Sequence, residues 1–131
     1  MVQKYADLIA AAKDAMEKAY APYSRFQVGA ALLTASGRIF TGCNVENASY
    51  GATICAERTA VVKAISAGEG EFLAIAIASN GGKTTPPCGI CRQVLAEFSE
   101  DVDIVLASDE GAQVFPLYAL FPKAKLPLDE M

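Results

Sequence analysis

Two short segments that contain cysteine constrain this chain more than any other feature of its sequence. The first, residues 53–58, reads Thr-Ile-Cys-Ala-Glu-Arg, and the second, residues 87–91, reads Pro-Cys-Gly-Ile-Cys. Their thiols are soft ligands that select Zn²⁺, and three protein ligands leave the fourth tetrahedral position free for water. A carboxylate that is not a ligand can then carry the proton of that water. We therefore expect the fold to join the two segments in an open zinc site that uses Cys55, Cys88, Cys91 and Glu57.

The chain contains no histidine, which excludes Ser-His-Asp and Cys-His catalytic machinery. An iron-sulfur cluster would need four cysteines in close local spacing, whereas Cys43 and Cys55 are each isolated. A closed structural site made of all four cysteines is an alternative, in which Glu57 would be a solvated helix residue. The pair Cys88 and Cys91 alone would also fit a redox dithiol or a zinc knuckle. Glu57, two residues after Cys55, favours the catalytic interpretation.

Length and composition predict one compact domain over residues 1–131, because the chain is 53% hydrophobic and 20% charged. A net charge of -4 disfavours a groove for nucleic acid and favours a small ligand of low charge. Apolar stretches such as residues 72–78 are too short to span a bilayer, so we expect no membrane partner. We further expect reduced thiols and a cytoplasmic location.

Hydrophobic periodicity predicts alternating helices and strands. Helices are expected over residues 4–20, 55–67 and 89–98, and strands over 28–34, 39–45, 72–78 and 102–107, with a short edge strand over 114–117. The turn Ser36-Gly37 should join the first two strands as an antiparallel hairpin. A helix between two buried strands implies a parallel pair with a right-handed crossover. We therefore predict an α/β fold, a three-layer α/β/α sandwich around a mixed sheet of about five strands.

Charge balance at such a site directs attention to Arg58. Three thiolates leave a Zn²⁺ site with net negative charge, which would make a bound water a poorer acid. Two helix N-termini would offset part of this charge, and Arg58, three residues after Cys55, is placed to donate hydrogen bonds to the sulfurs. The alternative is that Arg58 is an ordinary exposed arginine.

Three further motifs accompany the cysteine segments. They are Tyr-Ser at residues 23–24, Val-Gly-Ala-Ala-Leu at 28–32 and Gly-Cys-Asn-Val-Glu-Asn-Ala-Ser-Tyr at 42–50. With these motifs the chain resembles the short, homotetrameric, zinc-dependent cytidine deaminases over roughly residues 20–120. The combination of motifs is highly specific.

The resemblance implies a hydrolase that converts cytidine and deoxycytidine to uridine and deoxyuridine with release of ammonia, in pyrimidine salvage. It implies one Zn²⁺ per chain, which activates a water for attack on C4 of the pyrimidine, and Glu57 as the proton shuttle. The zinc ligands that it implies are Cys55, Cys88 and Cys91. The implied partners are a nucleoside substrate and three further copies of the chain.

The resemblance also implies the residues that bind substrate. Phe26 would pack on the base, the backbone at Ala56 would meet the edge of the pyrimidine, and Asn44 with Glu46 would bind the ribose 3′-hydroxyl. Arg58 matches the arginine that offsets thiolate charge in the family. Taken alone, the segment from Asn44 onward is also typical of an ordinary turn rich in Asn and Ser.

The C-terminal segment departs from the pattern of the family. The family commonly has Leu-Leu-Pro followed three residues later by a Phe that caps the site of a neighbouring subunit. Here residues 120–122 read Leu-Phe-Pro, and Lys125 stands where that Phe would be. A tetramer is still expected, without the family's aromatic residue at position 125.

Two other functions stay open from the sequence. One is the deamination of a cytosine-nucleoside antibiotic, as in the related blasticidin deaminases, although residues 44–50 favour the ordinary nucleoside. The other is a non-catalytic interaction module stabilised by zinc. Glu57 discriminates between the enzyme and the module.

Overall fold

A five-stranded mixed sheet forms the centre of the protein in a computed structural model, which describes residues 5–99 and 101–122. The strands are β1 (Val28–Thr34), β2 (Ile39–Cys43), β3 (Phe72–Ser79), β4 (Asp103–Ser108) and β5 (Gly111–Pro116), and the helices are α1 (Ala6–Met16), α2 (Ala56–Ser66), α3 (Gly89–Phe98) and α4 (Leu117–Leu120). A 3₁₀ turn covers Tyr50–Ala52. The strand order is β2-β1-β3-β4-β5.

The two pairings predicted from the sequence are confirmed: β1 and β2 form an antiparallel hairpin, and β3 and β4 are parallel. Two further antiparallel pairings were not predicted, β1 with β3 and β4 with β5. The β1–β2 turn closes at Gly37, whose φ of 92° is a backbone conformation that glycine adopts freely. β3 and β4 are parallel, and α3 connects them. The mixed sheet that the sequence predicts therefore combines two hairpins, the antiparallel pair of β1 and β3, and one strand-helix-strand crossover between parallel strands.

The two faces of the sheet carry two separate hydrophobic clusters, which confirms the three-layer architecture. α2 and α3 pack on one face, against large side chains such as Leu32, Ile75 and Ile104. α1 packs on the other face, where the sheet presents mainly alanine. The buried alanines of this second face are Ala31, Ala74, Ala76, Ala78 and Ala107.

Two glycines allow these helices to approach the sheet closely. A Cβ atom at Gly42 in β2 would lie 2.4 Å from the carbonyl oxygen of Ala56 and 2.6 Å from the nitrogen of Ala60, both in α2. A Cβ atom at Gly29 in β1 would lie 2.0 Å from the carbonyl oxygen of Ala12 in α1. Helix backbone thus rests on strand backbone at both positions, and Gly42 fixes the start of α2.

Several predicted boundaries are wrong, and long-range pairing explains two of them. α1 ends at Met16 and not at residue 20, because Tyr20 forms a bridge with Val45. β2 ends at Cys43 and not at residue 45, because Val45 turns to pair with Tyr20 and Ile54.

The last strand and helix also differ from the prediction. β5 begins at Gly111, directly after the turn from β4, and ends at Pro116, where α4 begins. α4 was not predicted from the sequence. None of the helices in the described residues is long and apolar enough to cross a membrane. Lys125, the departure noted in the C-terminal segment, lies outside the described residues.

Candidate active site

The topology gathers the predicted site residues at one end of the sheet. β2, β3 and β4 all end there, and β1 begins there, because β1 is antiparallel to β2 and β3. The bridge between Val45 and Ile54, with N to O distances of 2.9 and 3.0 Å, returns the chain to this end just before α2. α3 follows β3 and begins at the same end. We call it the site end; ligands of α/β sheets commonly bind outside the carboxyl ends of strands.

Three thiols meet between the first turns of α2 and α3. Cys55 is the N-cap residue of α2 and Cys88 is the N-cap residue of α3, where its sulfur accepts a hydrogen bond from the backbone N–H of Cys91 at 3.4 Å. The Sγ atoms of all three lie within 4.8 Å of one another, and those of Cys55 and Cys88 are 3.8 Å apart. Tetrahedral zinc with bonds of about 2.3 Å separates its sulfurs by about 3.8 Å. The cluster therefore fits one Zn²⁺.

Arg58 lies against this cluster and is not an ordinary exposed arginine. Its Nη2 atom donates a hydrogen bond to Cys55 Sγ at 3.5 Å and is 3.4 Å from the carbonyl oxygen of Thr53. Hydrogen bonding from Cys91, followed by that from Arg58 and Cys88, lowers the pKa of Cys55 to about 5, although burial opposes the change. The hydrogen bond with Cys55 and burial raise the pKa of Cys91. The structure thus favours a thiolate at Cys55, which is the form that binds metal.

Among the described residues, Glu57 is the only charged residue that is buried, with 5% of its surface exposed. It lies in the first turn of α2 and is not a member of the thiol cluster. Burial, with a smaller contribution from the charge of Cys55, raises the pKa of Glu57 to about 7. A carboxyl group with such a pKa can take up and give back a proton near neutral pH.

Asn44 and Phe26 are joined by hydrogen bonds at the site end. Asn44 is buried, and its Oδ1 accepts from the N–H of Val28 at 2.8 Å, while its Nδ2 donates to the carbonyl oxygen of Phe26 at 2.8 Å. Phe26 is 41% exposed. An amide side chain has two donors and two acceptor sites, so these two bonds use one of each in Asn44.

Glu46, two residues after Asn44, is hydrogen-bonded to the loop that precedes Phe26. Its carboxylate accepts from the N–H groups of Tyr23 at 2.9 Å and Ser24 at 3.1 Å, and from the hydroxyl of Ser24. These hydrogen bonds lower the pKa of Glu46. The Ser24 hydroxyl makes the largest contribution, and the two N–H groups make smaller ones. A pocket of about 390 Å³ adjoins it, lined by Tyr23, Ser24, Glu46, Asn47, Tyr50 and Thr53. The ionised carboxylate therefore borders a space that a small ligand can enter.

The sequence model of the cytidine and deoxycytidylate deaminase zinc-binding region matches residues 2–108 of this chain. The chain belongs to the cytidine and deoxycytidylate deaminase family. It is 52% identical over 105 residues to a cytidine deaminase of Halalkalibacterium halodurans, which is 79% of this chain and 80% of that protein. It is 46% identical over 115 residues to a probable cytidine deaminase of Dictyostelium discoideum, covering 87% of this chain and 78% of the relative.

Solved structures of the deaminase family have the same fold. The crystal structure of cytidine deaminase from Burkholderia pseudomallei matches with a TM-score of 0.86 and 50% identity, over 91% of this chain and 97% of that one. Cytidine deaminase from Mycobacterium tuberculosis matches with a TM-score of 0.81 and 44% identity, over 92% of this chain and 95% of that one. The family match and the three-thiol cluster together identify Zn²⁺ as the metal of this deaminase, one per chain.

The remaining predicted residues of the deaminase lie close to this centre. Ala56 is the first residue of α2 and fully buried; its carbonyl faces Gly42, and its N–H is a first-turn donor with no acceptor inside the helix. Cys43 is a free thiol in β2 that does not belong to the cluster. The closed four-cysteine site considered from the sequence therefore finds no support in the described residues.

Two polar residues at the site end of the deaminase had no role predicted from the sequence, although Ser24 belongs to one of the motifs. Ser24 connects Glu46 to the backbone N–H of Phe26, because its Oγ lies 3.0 Å from that nitrogen. Asn80, directly after β3, bonds to residues on both sides of Phe26. The available signal for Asn80 was its position, a polar residue between a buried strand and a Gly-Gly turn.

Proposed function

We propose that this enzyme hydrolyses cytidine and deoxycytidine to uridine and deoxyuridine and releases ammonia. The observation that carries the proposal is a buried carboxyl group, Glu57, in the same helix turn as a three-thiol metal cluster. A closed structural zinc site binds no reactive water and therefore needs no carboxyl group as a proton carrier. The identity to cytidine deaminases over most of the chain supports the same substrate class.

Cys55, Cys88 and Cys91 are the proposed zinc ligands. When bound there, the metal supplies a Lewis acid that lowers the pKa of a coordinated water toward neutrality. Arg58 and the N-termini of α2 and α3 offset the negative charge of the thiolates, which supports this acidity.

Glu57 is the proposed proton carrier. In the overall reaction the oxygen of water bonds to C4 of the pyrimidine, the bond from C4 to the exocyclic nitrogen breaks, and that nitrogen leaves as ammonia. Glu57 takes one proton from water and delivers it to N3; it then takes the remaining proton of the hydroxyl added at C4 and gives it to the leaving nitrogen, so that a C4 carbonyl forms. Its raised pKa, caused by burial, suits both directions of transfer.

Four further groups are proposed to bind the nucleoside. Phe26 packs on the base, and the backbone at Ala56 meets its edge. Asn44 and Glu46 bind the ribose 3′-hydroxyl with the hydrogen-bonding capacity that their bonds to the loop leave free. Support comes from the loop that carries Phe26, because Asn44, Glu46 and Ser24 all hold it at the site end.

We further propose a homotetramer of pyrimidine salvage in the cytoplasm, without nucleic-acid or membrane partners. The charge of -4 opposes contact with a polyanion. All four cysteines are free thiols in the structure, as a reducing compartment would keep them.

The direct test combines two measurements on purified protein. Incubation with cytidine or deoxycytidine should change the ultraviolet absorbance as the amino group is lost and release one ammonia per nucleoside, and metal analysis should find zinc. Free cytosine serves as the control substrate and should react far more slowly. Full activity without zinc, or no ammonia from either nucleoside, would refute the proposal.

The ribose role of Glu46 has its own test. Glu46→Gln should reduce the preference for cytidine over free cytosine, because a site built to bind a hydroxyl rejects ligands that lack it. The ratio of kcat/KM for the two substrates measures this preference. An unchanged ratio would show that Glu46 serves only to hold the Tyr23-Ser24 loop.

A further inference from the structure

Asn80 is a polar residue at the site end to which the proposed reaction gives no part. It is exposed, and yet its side chain is bonded to both neighbours of Phe26. Its Nδ2 donates to the carbonyl oxygen of Arg25 at 3.0 Å, and its Oδ1 accepts from the N–H of Gln27 at 3.2 Å. Its backbone N–H also donates to the carbonyl oxygen of Gln27 at 3.0 Å. Three hydrogen bonds from one residue therefore surround the position of Phe26.

The backbone before Phe26 needs such support. Arg25 has a φ of 63°, the left-handed region that non-glycine residues rarely adopt. Its N–H donates to the carbonyl oxygen of Ala21 at 3.0 Å, and its own carbonyl is the group bonded by Asn80. A strained conformation persists only where surrounding contacts determine it. Asn80 supplies one of those contacts.

Asn44 completes the arrangement from the side of β2. It bonds to the carbonyl of Phe26 and the N–H of Val28, whereas Asn80 bonds to Arg25 and Gln27. Two asparagines, one after β2 and one after β3, are thus bonded to three consecutive peptide groups of the segment, and both are bonded to the group between Phe26 and Gln27. The loss of the Asn80 side chain would leave the segment held by Asn44, the Ser24 hydroxyl and backbone hydrogen bonds such as that from the N–H of residue 80 to Gln27.

The ring of Phe26 also lies against the segment that contains Asn80. A Cβ atom at Gly81 would lie 3.4 Å from Cε1 of the ring, so the ring edge is in contact with this glycine. The segment itself is fixed to the β4–β5 turn, because the N–H of Asp109 donates to the carbonyl oxygen of Gly82 at 3.0 Å. Residues 80–82 therefore set both the backbone and the ring of Phe26.

We infer that Asn80 is a positioning residue for the pyrimidine base, which acts through Phe26 and does not touch the substrate. The inference rests on the proposed function, since it requires that Phe26 packs on the base. It assigns to the end of β3 a role in substrate affinity that is separate from the zinc cluster.

Asn80→Ala is the variant that tests the inference. KM for cytidine should rise about tenfold while kcat changes by less than about twofold, because packing on the base contributes equally to the substrate complex and the transition state. Zinc content and the thermal unfolding midpoint should match the wild type. Thr85→Val is the matched control, because it removes a hydrogen bond to Ser79 Oγ from the same loop without touching the Phe26 segment; its KM should be unchanged.

A double-mutant cycle then separates action through Phe26 from a general effect. In a Phe26→Ala background, Asn80→Ala should leave KM unchanged. An equal rise in both backgrounds, a KM within twofold of wild type in the single variant, or loss of zinc or fold would each overturn the inference. If the wild type itself does not convert cytidine, the proposed function fails instead, so the two failures are distinguishable.

Discussion

Glu57 offers the sharpest test at the scale of a single residue. Glu57→Gln keeps the size of a side chain that is only 5% exposed, so fold and zinc content should be retained. Glutamine cannot carry the proton, and the turnover of cytidine should fall by about 10²–10⁴-fold. Initial rates at saturating cytidine, together with the zinc content of the same preparation, check both expectations.

Cys43→Ala is the matched control for that variant. Cys43 is a thiol close in sequence to the site but outside the cluster of Cys55, Cys88 and Cys91. Its removal should change neither zinc content nor turnover. Loss of zinc in Cys43→Ala, with full activity in Glu57→Gln, would instead indicate a structural four-cysteine site and no deaminase chemistry at this metal.

At the scale of the elements, the position of α2 depends on Gly42. Gly42→Ala would place a Cβ atom 2.4 Å from the carbonyl oxygen of Ala56, so α2 must move away from β2. We expect the free energy of unfolding to fall by about 1–3 kcal/mol. Zinc should also be lost faster to a chelator, because α2 carries Cys55.

Two other glycines serve as controls for this effect. Gly29→Ala should cost comparable stability, because its Cβ would lie 2.0 Å from the backbone of α1, on the face of the sheet opposite the cluster. Zinc release should then match the wild type. Gly70→Ala should change neither quantity, because the nearest atom to its Cβ is 4.0 Å away. Equal zinc release from Gly29→Ala and Gly42→Ala would contradict the proposed dependence on α2.

A contact between α1 and β4 should make stability depend on alkaline pH. The hydroxyl of Tyr5, just before α1, donates to Asp103 Oδ2 at 2.6 Å. Burial, followed by this hydrogen bond and the charge of Asp103, raises the pKa of Tyr5 from 10.0 to about 12. Folding therefore favours the neutral phenol. Its stabilisation is complete below pH 10 and is lost as the pH rises from 10 to 12.

Tyr5→Phe should remove this part of the pH dependence. At pH 8 its free energy of unfolding should be lower by about 1 kcal/mol, the usual net value of one hydrogen bond. Between pH 10 and 12 its decline should be less steep than that of the wild type, as urea unfolding at several pH values would show. Tyr118→Phe, at an exposed tyrosine, is the control. Identical profiles for Tyr5→Phe and the wild type would disprove the assignment.

The elements also show which parts of the structure the sequence could predict. Continuous apolar runs fixed the existence of β1, β3 and β4, and the cysteine spacing fixed where α2 and α3 begin. The predicted end of α1 was wrong. Helical periodicity continues to Tyr20, but in the structure Tyr20 forms a bridge with Val45 and is not part of the helix. β5 was predicted too short, because its alternately exposed first residues carry little apolar signal. These errors have tertiary causes that a local pattern does not contain.

The same limit applies to the candidate site. The types and spacing of the cysteines and the glutamate indicate a metal site directly, so the metal cluster was predictable. The bonds from Asn44 and Asn80 to the Phe26 segment were not, because they depend on which backbone groups the ends of two different strands present to each other.

At the scale of the whole molecule, we expect four chains to assemble with their sites near subunit contacts. Several large apolar side chains are exposed in the single chain, among them Tyr50 at 81%, Ile90 at 61% and Val62 at 54%. Such side chains near the site end would be covered by a neighbour, which would also exclude water from a small substrate. Analytical ultracentrifugation or light scattering measures the assembly directly.

A monomer with full activity would contradict this expectation. It would exclude both the tetramer and any contribution of the C-terminal segment to a neighbouring site. Dilution gives a second measure, because activity that depends on assembly should fall as the protein concentration passes below the dissociation constant.

The alanine surface beneath α1 has a consequence for directed evolution of this enzyme. Larger replacements at Ala31, Ala74, Ala76, Ala78 or Ala107 meet a helix already seated on the backbone of Gly29, so few will survive selection. The opposite face mixes leucine, isoleucine, valine and phenylalanine, where a loss at one position can be compensated by a gain at its neighbour. Tolerance to mutation should therefore be lower on the alanine face of the sheet than on the opposite face. Libraries that seek new substrates will retain more folded members if they vary the layer of α2 and α3 and leave the alanine layer untouched.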